Sequence, residues 1–229
     1  MTQLFFSDYD VSEAPAPLVI FGAGGLGREV LLLVLQFNEM QPTWNILGFY
    51  DDQPPSGATV AGLPYLGTSA DLNATTGPLA VAVAVGNPAA RAAVVARLTS
   101  AQLSFPALVH PQVALAAQQR IGVGAGCIIQ QGCVLTCDIQ LGRFVLLNLG
   151  CTVGHDAELA DFCSLMPHAN VSGAAQLETG VYLGTSATII QGVRVGANTI
   201  VGAGAVVVRD LPANTTAVGV PAAVIKTHA

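Results

Sequence analysis

Hydrophobic side chains recur at every sixth position through the second half of this chain. From Val123 to Val207 each hexad carries one aliphatic residue at the same place, without a break. An amphipathic helix repeats its apolar face every 3.6 residues and a strand alternates every two, so neither element alone explains a period of six. The period is typical of a parallel β-helix, in which short strands alternate with corners and three hexads complete one coil. Fifteen hexads therefore predict about five coils.

A second inward register precedes the first by two residues and holds small or slender side chains such as Cys127, Ala157 and Ala187. One large and one small inward residue per hexad would fill a narrow triangular prism. Many glycines fall outside both registers, and we expect them at corners, because a residue without a Cβ tolerates positive φ. These glycines are Gly122, Gly124, Gly126, Gly132, Gly142, Gly154, Gly180, Gly184, Gly192, Gly196, Gly202 and Gly204.

Ahead of the repeat, apolar strand-like segments alternate with helix-like ones. We expect buried strands at Leu18–Phe21, Ile46–Tyr50 and Leu79–Val85. We expect helices that open near Gly27 and cover Pro88–Thr99. Strand, helix and strand in this order predict a small parallel α/β sheet of the Rossmann type.

The predicted fold class is therefore α/β followed by β. A tail over residues 1–16 precedes a Rossmann-like domain over residues 17–106. Residues 107–229 form the predicted β-helix domain and its C-terminal tail.

A glycine motif lies between the first predicted strand and the first predicted helix. Gly22, Gly24 and Gly27 match GxGxxG, and Asp51 and Asp52 end the second predicted strand. Backbone N–H groups and a helix N-terminus would then face a diphosphate. The carboxylates would accept hydrogen bonds from hydroxyl or imide groups of the nucleoside. The same features suit NAD, but no second half of a dinucleotide fold follows. A tight turn without a ligand is the other reading of the motif.

Composition narrows the class of partner. The chain of 229 residues has a formal net charge of −6 and only 10% charged residues. An acidic balance argues against nucleic acid, and the scarcity of charge favours a homo-oligomer that covers prism faces. No apolar run reaches the roughly 18 residues of a membrane span, and the first residues lack the pattern of a secretory signal.

The cysteines point to packing and not to disulfides. Four of the five occupy the small inward register, namely Cys127, Cys133, Cys151 and Cys163. Buried thiols of this kind are typical of a reducing compartment, so we expect a cytoplasmic protein.

Several motifs together resemble one family. They are GAGGLGREV, the FYDD strand end, VAVGNPAAR, NLGCTVGHDAEL and the ending GVPAAVIK. They resemble the sugar O-acyltransferase family of sialic-acid and amino-sugar pathways, and within it the UDP-4-amino-sugar N-acetyltransferases of the bacillosamine and perosamine type. The resemblance covers nearly the whole chain after the tail. It implies a left-handed β-helix, a homotrimer with active sites between subunits, acetyl-CoA as co-substrate and a nucleotide-linked amino sugar as acceptor.

The resemblance also implies roles in the front domain. Gly22, Ala23 and Gly24 would cradle the diphosphate. Asp51 and Asp52 would recognise the nucleoside, and the remaining substrate-binding residues, Gly86 and Asn87, would line the sugar pocket.

In the prism, the resemblance makes His155 the general base and Asp156 the acid that orients it. Asn148 would lie near the substrate amine, and the Gly173 N–H would face the thioester oxygen. Gly184 would contact the pantetheine arm.

Two positions depart from the family pattern or stay open. Ser164 stands where some members place a histidine against coenzyme A, so we expect it to bind acetyl-CoA. The role of His168 stays open, with replacement of that histidine as one alternative.

The residues alone also single out His155, because it lies outside both inward registers and a carboxylate follows it directly. A neutral imidazole near pH 7 can accept the proton that an attacking amine sheds. Direct acetyl transfer with no metal is the expected mechanism. O-acetylation of a sugar hydroxyl is an alternative on the same fold, and a nucleotide-sensing or scaffold module is the non-enzyme alternative. A zinc enzyme of the γ-carbonic anhydrase type would need three clustered imidazoles, which the four histidines do not supply.

Overall fold

A computed structural model describes residues 15–228 of the chain. The predicted tail therefore lies outside the described residues up to residue 14, and the first strand already begins at Ala16. The front half contains, in chain order, β1 (Ala16–Phe21), α1 (Gly25–Met40), β2 (Trp44–Tyr50), β3 (Thr59–Val60), β4 (Leu63–Gly67), α2 (Ser69–Asn73), β5 (Leu79–Val83), α3 (Pro88–Arg97) and β6 (Leu103–Ser104).

The front strands form one six-stranded sheet in the order β3-β4-β2-β1-β5-β6. All neighbours are parallel except the β3–β4 hairpin, which the sequence did not predict because its strands are only two and five residues long. The central strands β1 and β5 are almost wholly buried, as their continuous apolar runs predict for a parallel sheet. The predicted parallel α/β sheet is confirmed.

The second half is a parallel β-helix of two-residue strands. After β7 (Leu108–Val109) and a short 3₁₀ helix at Ala117–Gln119, the coil strands are β8 (Gly122–Val123), β9 (Ile128–Ile129), β10 (Val134–Leu135), β11 (Gln140–Leu141), β12 (Leu146–Leu147), β13 (Thr152–Val153), β14 (Glu158–Leu159), β15 (Ser164–Leu165), β16 (Asn170–Val171), β17 (Gln176–Leu177), β18 (Tyr182–Leu183), β19 (Thr188–Ile189), β20 (Arg194–Val195), β21 (Ile200–Val201) and β22 (Val206–Val207). An antiparallel pair, β23 (Thr215–Val218) and β24 (Ala223–Thr227), closes the far end.

Three flat faces make up the left-handed prism. The first face stacks β7, β9, β12, β15, β18, β21, β23 and β24. The second face stacks β10, β13, β16, β19 and β22, and the third stacks β8, β11, β14, β17 and β20. Each strand from β8 to β19 pairs with the strand 18 residues further on, as in Leu147 with Leu165. Three hexads per coil are therefore confirmed, and neighbouring coils are about 4.8 Å apart.

Both predicted inward registers are confirmed by burial. The aliphatic register from Ile129 to Val207 is at most 4% exposed at every hexad. The small register is equally buried, and its cysteines contribute compact side chains to the same core. All five cysteines are free thiols.

The corners follow a rule that glycine content alone did not show. From Val123 to Val201, the third residue after each aliphatic position has positive φ, and most of these residues are not glycine; Asp156 and His168 are examples, at +58° and +59°. Of the glycines predicted at such corners, only Gly126, Gly132, Gly180, Gly192 and Gly204 have positive φ.

The other predicted corner glycines need a correction. Gly142, Gly154, Gly184 and Gly196 follow directly after the aliphatic residue, and a Cβ there would collide with the backbone of the next coil. Their reason is close approach between coils and not a left-handed backbone. The same correction applies to Gly122, Gly124 and Gly202, where the space for a side chain is also taken.

Helix α1 joins the two halves. Val30, Leu33 and Val34 share one buried cluster with Leu108, Ile128 and Leu146 of the first face. The front domain thus packs against the first face through α1. No helix among residues 15–228 is long and apolar enough to cross a membrane.

Candidate active site

The front sheet has a crevice where its strand order reverses. β1 lies between β2 and β5, so the chain leaves β1 for one neighbour and later returns to its other side. Ligands of open α/β sheets bind outside the carboxyl ends of strands at such a switch point. The turn after β1, the turn after β2 and the turn after β5 therefore surround one crevice.

The glycine turn after β1 is tightly packed. Gly22 has φ +117°, and a Cβ there would lie 2.5 Å from the carbonyl oxygen of Ala84. A side chain on Gly27 would collide with the Gly22 carbonyl. Gly24 caps α1, which begins two residues before the predicted Gly27. Apart from its own chain neighbours, no atom of residues 15–228 lies within 4 Å of a Cβ built on Gly24, so this side of the turn is open.

Asp51 ties the second strand end to the glycine turn. Its carboxylate accepts hydrogen bonds from the Ala23 N–H at 2.8 Å and from the Gln53 N–H at 2.9 Å. The Tyr65 hydroxyl donates to the Asp51 carbonyl oxygen. The structure thus uses the Ala23 N–H internally, and the open donors of this turn lie at the start of α1.

Asp52 points to the opposite side of that strand end. Its carboxylate accepts from the Ser69 N–H at 2.8 Å and pairs with Arg97 at 2.6 Å. Partial burial raises the pKa of Asp52, but these bonds outweigh burial and hold the pKa below its usual value. Asp52 therefore braces α2 and α3 and is already partnered.

Gly86 and Asn87 lie at the carboxyl end of β5, beside the glycine turn. The Asn87 side chain caps α3 by accepting from the Ala90 N–H at 2.9 Å. The Gly86 carbonyl accepts from the Ser164 hydroxyl at 2.8 Å, across the boundary to the prism. The structure therefore brings this predicted pair to the crevice and fixes it to the first face.

Ser164 is not placed where coenzyme A could reach it. The side chain is fully buried, and its hydroxyl both donates to Gly86 and accepts from Arg91 at 2.8 Å. The expected contact with acetyl-CoA needs an accessible surface, so we withdraw Ser164 from the proposed coenzyme A site. Its position faces the front domain because β15 belongs to the covered first face.

Sequence reasoning missed Arg91. Its side chain is only 2% exposed and donates six hydrogen bonds across the junction. Among residues 15–228 none of its partners is a carboxylate; five are backbone carbonyls. The available signal was a basic residue in the otherwise Ala-rich helix of the VAVGNPAAR motif.

His155 and Asp156 occupy an uncovered corner between the second and third faces. His155 Nδ1 lies 2.7 Å from Asp156 Oδ2. The two side chains are 65% and 62% exposed. Asp156 has φ +58°, a left-handed conformation that Asp and Asn adopt at low cost, and the backbone there turns its carboxylate toward the ring. The predicted pair is thus formed by adjacent residues on one corner.

Gly173 lies one coil above His155 on the same corner. A Cβ built on Gly173 would be 2.6 Å from His155 Nε2 and 2.7 Å from Cε1. Gly173 is also the single glycine at this place in the hexad between Ala125 and Arg209. The imidazole therefore fits against the backbone of the next coil because this one corner lacks a side chain.

Asn148 lies on the preceding corner, between the first and second faces, and is buried with 7% exposure. Its side-chain oxygen accepts from the Leu149 N–H at 2.7 Å. Gly184 belongs to the same corner two coils further on. One two-residue strand of the second face, β13, separates Asn148 from the His155 corner.

His168 also belongs to the Asn148 corner. Its ring covers Gly150, where a Cβ would lie 2.7 Å from both Cε1 and Nδ1. The residue is exposed, and its backbone carbonyl accepts from Asn170 at 2.8 Å. The ring is thus one strand away from the His155 corner, as part of the edge of the second face.

A charged pair supports the His155 corner from below. Asp138, one coil before Asp156, pairs with Arg120 at 2.5 and 2.6 Å. The hydrogen bond from Arg120 lowers the pKa of Asp138. Cys137 lies beside it, one coil below His155, and its backbone carbonyl accepts from the Asp156 N–H at 3.1 Å. No group of three metal-ligating side chains occurs within residues 15–228.

A hexapeptide prism with an exposed His–Asp corner, joined to a nucleotide-type sheet, defines the class of β-helical acyltransferases. The PglD N-terminal domain model matches residues 17–98. The acetyltransferase domain of PglB from Neisseria gonorrhoeae, solved with acetyl coenzyme A, is 30% identical with a TM-score of 0.84. The alignment covers 93% of this chain and 100% of that one. The chain belongs to this acetyltransferase family.

Further structures are similar over nearly the full length. PerB from Caulobacter crescentus, in complex with CoA and GDP-perosamine, is 28% identical with a TM-score of 0.82, over 93% of this chain and 99% of that one. WeeI from Acinetobacter baumannii is 28% identical with a TM-score of 0.82, over 92% and 100%.

A shorter match occurs among curated proteins. The 2,3,4,5-tetrahydropyridine-2,6-dicarboxylate N-acetyltransferase of Staphylococcus aureus is 54% identical over 46 residues. That match spans 20% of this chain and 19% of the relative. It therefore concerns a short segment, whereas the likeness over nearly the full length is to PglB, PerB and WeeI.

Proposed function

We propose that this enzyme transfers the acetyl group of acetyl-CoA to the amino group of a nucleotide-linked amino sugar. The observation that carries the proposal is the His155–Asp156 pair on an open corner, with the imidazole packed against the bare backbone of Gly173. The full-length likeness to PerB, solved with CoA and GDP-perosamine, supports the same reaction class.

His155 is the proposed general base. When Nδ1 donates to Asp156, the lone pair of the neutral ring lies on Nε2, on the side of the ring nearest Gly173. The sugar nitrogen attacks the thioester carbonyl and forms the new C–N bond, and Nε2 accepts the proton that the nitrogen loses. The C–S bond then breaks, and the imidazolium returns the proton to the leaving thiolate. No acyl-enzyme is formed.

The Gly173 N–H is the proposed oxyanion donor. It makes no hydrogen bond within the described part of the chain, whereas the next N–H, that of Ala174, donates to the His155 carbonyl at 2.7 Å. A preorganised backbone donor of this kind stabilises the charge that develops on the thioester oxygen. Asn148, on the neighbouring corner, is proposed to contact the substrate amine, and Gly184 the pantetheine arm.

The front crevice is proposed to hold the nucleotide. The N-termini of α1 and α3 both open at the switch point, where their N–H groups and dipoles favour a diphosphate. Gly22 and Gly24 carry no side chain, so the backbone of the turn can approach the diphosphate closely. Ala23, Asp51 and Asp52 contribute through the shape of the turns, since their polar groups are already engaged.

A homotrimer is the proposed assembly. His155 and Asp156 lie mainly exposed in one chain, and the second face carries Val134, which is 57% exposed. A neighbouring prism against these faces would cover the apolar surface and enclose acetyl-CoA beside the imidazole. The five free thiols support action in the reducing cytoplasm.

Acceptor panels test the proposed function. UDP-, GDP- and dTDP-linked 4-amino sugars are incubated with acetyl-CoA, and free coenzyme A thiol is measured. We expect thiol release with one nucleotide series and none with the matching 4-hydroxy sugars. Release only with hydroxyl acceptors would favour O-acetylation, and release with neither, together with no binding of acetyl-CoA by calorimetry, would favour a scaffold.

A further inference from the structure

The junction between the front sheet and the prism is built around a buried cation. The Arg91 guanidinium is 2% exposed, and within residues 15–228 no carboxylate bonds to it. Burial lowers its pKa to about 10, which still leaves it charged at neutral pH. Burying an arginine without a counter-ion is costly unless carbonyl and hydroxyl acceptors satisfy the charge. Because burying Arg91 carries this free-energy cost, we expect this residue to have a role beyond packing.

The bonds of Arg91 fall into two groups. On the prism side, Nε donates to the Phe144 carbonyl at 3.0 Å, and Nη2 donates to the carbonyls of Phe162 and Cys163 at 2.9 and 3.1 Å. Phe144 and Phe162 are left-handed corner residues of successive coils, and their rings stack with centroids 5.4 Å apart. The prism side is therefore a rigid anchor.

On the front side, Nη1 donates to the carbonyls of Val85 and Gly86 at 2.6 and 3.2 Å. Ser164 closes a triangle, because its hydroxyl accepts from Arg91 and donates to the same Gly86 carbonyl, each at 2.8 Å. Two donors thus turn the Gly86 carbonyl toward the prism.

Because the peptide bond is planar, the position of the Gly86 carbonyl also determines the direction of the Asn87 N–H. In a trans peptide the carbonyl of one residue and the N–H of the next point in opposite directions. With the Gly86 carbonyl held against the prism, the Asn87 N–H must face away from it. That N–H makes no hydrogen bond within the described part of the chain, and it opens α3 at the switch-point crevice.

We propose that Arg91, acting with Ser164, is a positioning residue for the acceptor: it locks the Gly86–Asn87 peptide so that the Asn87 N–H faces the nucleotide-linked sugar. The inference rests on the proposed function for the identity of that ligand. Because the same guanidinium grips the corners at Phe144 and Phe162, it also fixes the crevice relative to the coils that carry the acetyl-transfer groups.

Steady-state kinetics of three variants test the proposal. Arg91→Lys keeps the charge but cannot reach both groups of acceptors with one point donor, and Ser164→Ala removes the second donor to Gly86. His110→Gln is the matched control, since it breaks the other polar contact of the junction, to Gln36, without touching Gly86. The acceptor is whichever of the UDP-, GDP- and dTDP-linked 4-amino sugars the wild type turns over fastest.

We expect Arg91→Lys to raise the KM for that sugar about tenfold and Ser164→Ala to raise it a few-fold. The first variant removes a charge-assisted hydrogen bond to the buried Gly86 carbonyl and the second removes a neutral one, so the peptide that faces the sugar is held less firmly. The KM for acetyl-CoA should stay within about twofold in both, and His110→Gln should change neither constant. Equal changes in both KM values, or none in the folded variants, would overturn the positioning role.

Hydrogen exchange supplies a second reading that needs no turnover. We expect amides in residues 84–91 to exchange faster in Ser164→Ala than in the wild type, with the coil amides unchanged. Absence of turnover in the wild type with every sugar would contradict the proposed function alone, because the exchange result still tests whether Ser164 and Arg91 fix the Gly86–Asn87 peptide. Unchanged exchange across residues 84–91 would contradict the fixed orientation of this peptide, whatever the activity.

Discussion

The imidazole of His155 occupies the space that a side chain on Gly173 would need. A Cβ on Gly173 would lie 2.6 Å from Nε2, well inside contact distance. Every other hexad from Ala125 to Arg209 carries a Cβ at this place, so the backbone itself tolerates one. The glycine is therefore required by the neighbouring ring and not by the fold.

Replacing the base tests the mechanism directly. His155→Ala should lower turnover by about 10²- to 10⁴-fold, the usual contribution of a positioned general base. The dissociation constant of coenzyme A, measured by calorimetry, should change little, because the ring does not build the coil. Wild-type turnover in this variant would remove His155 from the mechanism.

Gly173→Ala should reproduce much of that loss without unfolding the protein. The added methyl forces the ring away from its position against Gly173, while the melting temperature should stay close to that of the wild type. In the double variant with His155→Ala, the second change should cost little further turnover, since both act on the same ring. Full additivity of the two losses would contradict the displacement of His155 by the methyl.

Asp156 offers a clean separation of chemistry from backbone strain. Asp156→Asn keeps a residue that tolerates the left-handed φ of +58°, so its melting temperature should match the wild type. Turnover should fall at least tenfold, because the amide no longer stabilises the imidazolium that forms. Asp156→Ala should lose both turnover and stability, and the comparison of the two variants isolates the electrostatic part.

His110 predicts a pH dependence of stability. Its Nδ1 accepts from the Gln112 N–H at 3.2 Å and its Nε2 lies 3.0 Å from the Gln36 oxygen, so the buried ring is neutral. Burial lowers the pKa of His110 below its usual 6.5. As pH falls below about 6.5 the unfolded chain takes up this proton before the folded one does, so the free energy of unfolding decreases.

Urea unfolding of the wild type and His110→Gln at pH 7.5 and pH 5 measures this effect. The difference in unfolding free energy between the two proteins should shrink toward the acidic end, because the glutamine variant has no proton to bind. The carboxylates with lowered pKa, such as Asp138, lose their stabilising effect only at lower pH, outside this window. A constant difference across the range would contradict a neutral buried His110.

Thiol labelling tests the interior of the prism. Burial raises the pKa of both the Cys127 and Cys163 thiols to about 12, and these side chains are fully buried. Cys133 and Cys151 are also at most 4% exposed, so iodoacetamide at pH 8 should modify only Cys137 in the folded protein, and slowly, because burial and Asp138 raise the pKa of this thiol. All five should react in urea, and Cys137→Ser should abolish labelling of the folded state.

The period of six was enough to predict the prism, because it depends on local packing that repeats in every coil. The registers, the number of coils and the adjacency of His155 and Asp156 all follow from it. The site of Ser164 could not be predicted in this way. Its hexad position only shows that it points outward, and which face the front domain covers depends on α1 and Arg91 meeting residues about 70 positions away in sequence.

The short hairpin and the engaged donors of the glycine turn were likewise out of reach. β3 and β4 have too few residues for a clear alternation. That the Ala23 N–H donates to Asp51 depends on a contact 28 residues apart, which a motif match cannot show. Motifs indicated where the crevice lies, and the hydrogen bonds decide which of its groups are available.

Because strands 18 residues apart are paired, the number of residues between two positions determines which edge of the prism each of them occupies. Inserting or deleting 18 residues would lengthen or shorten the stack and leave each edge aligned, whereas a change of six would turn everything beyond it by a third of a revolution. An indel of one hexad between residues 110 and 155 would thus carry the histidine to a different edge with the interior still filled. Natural length variation in such proteins should therefore come in whole turns wherever an edge has to face a fixed neighbour.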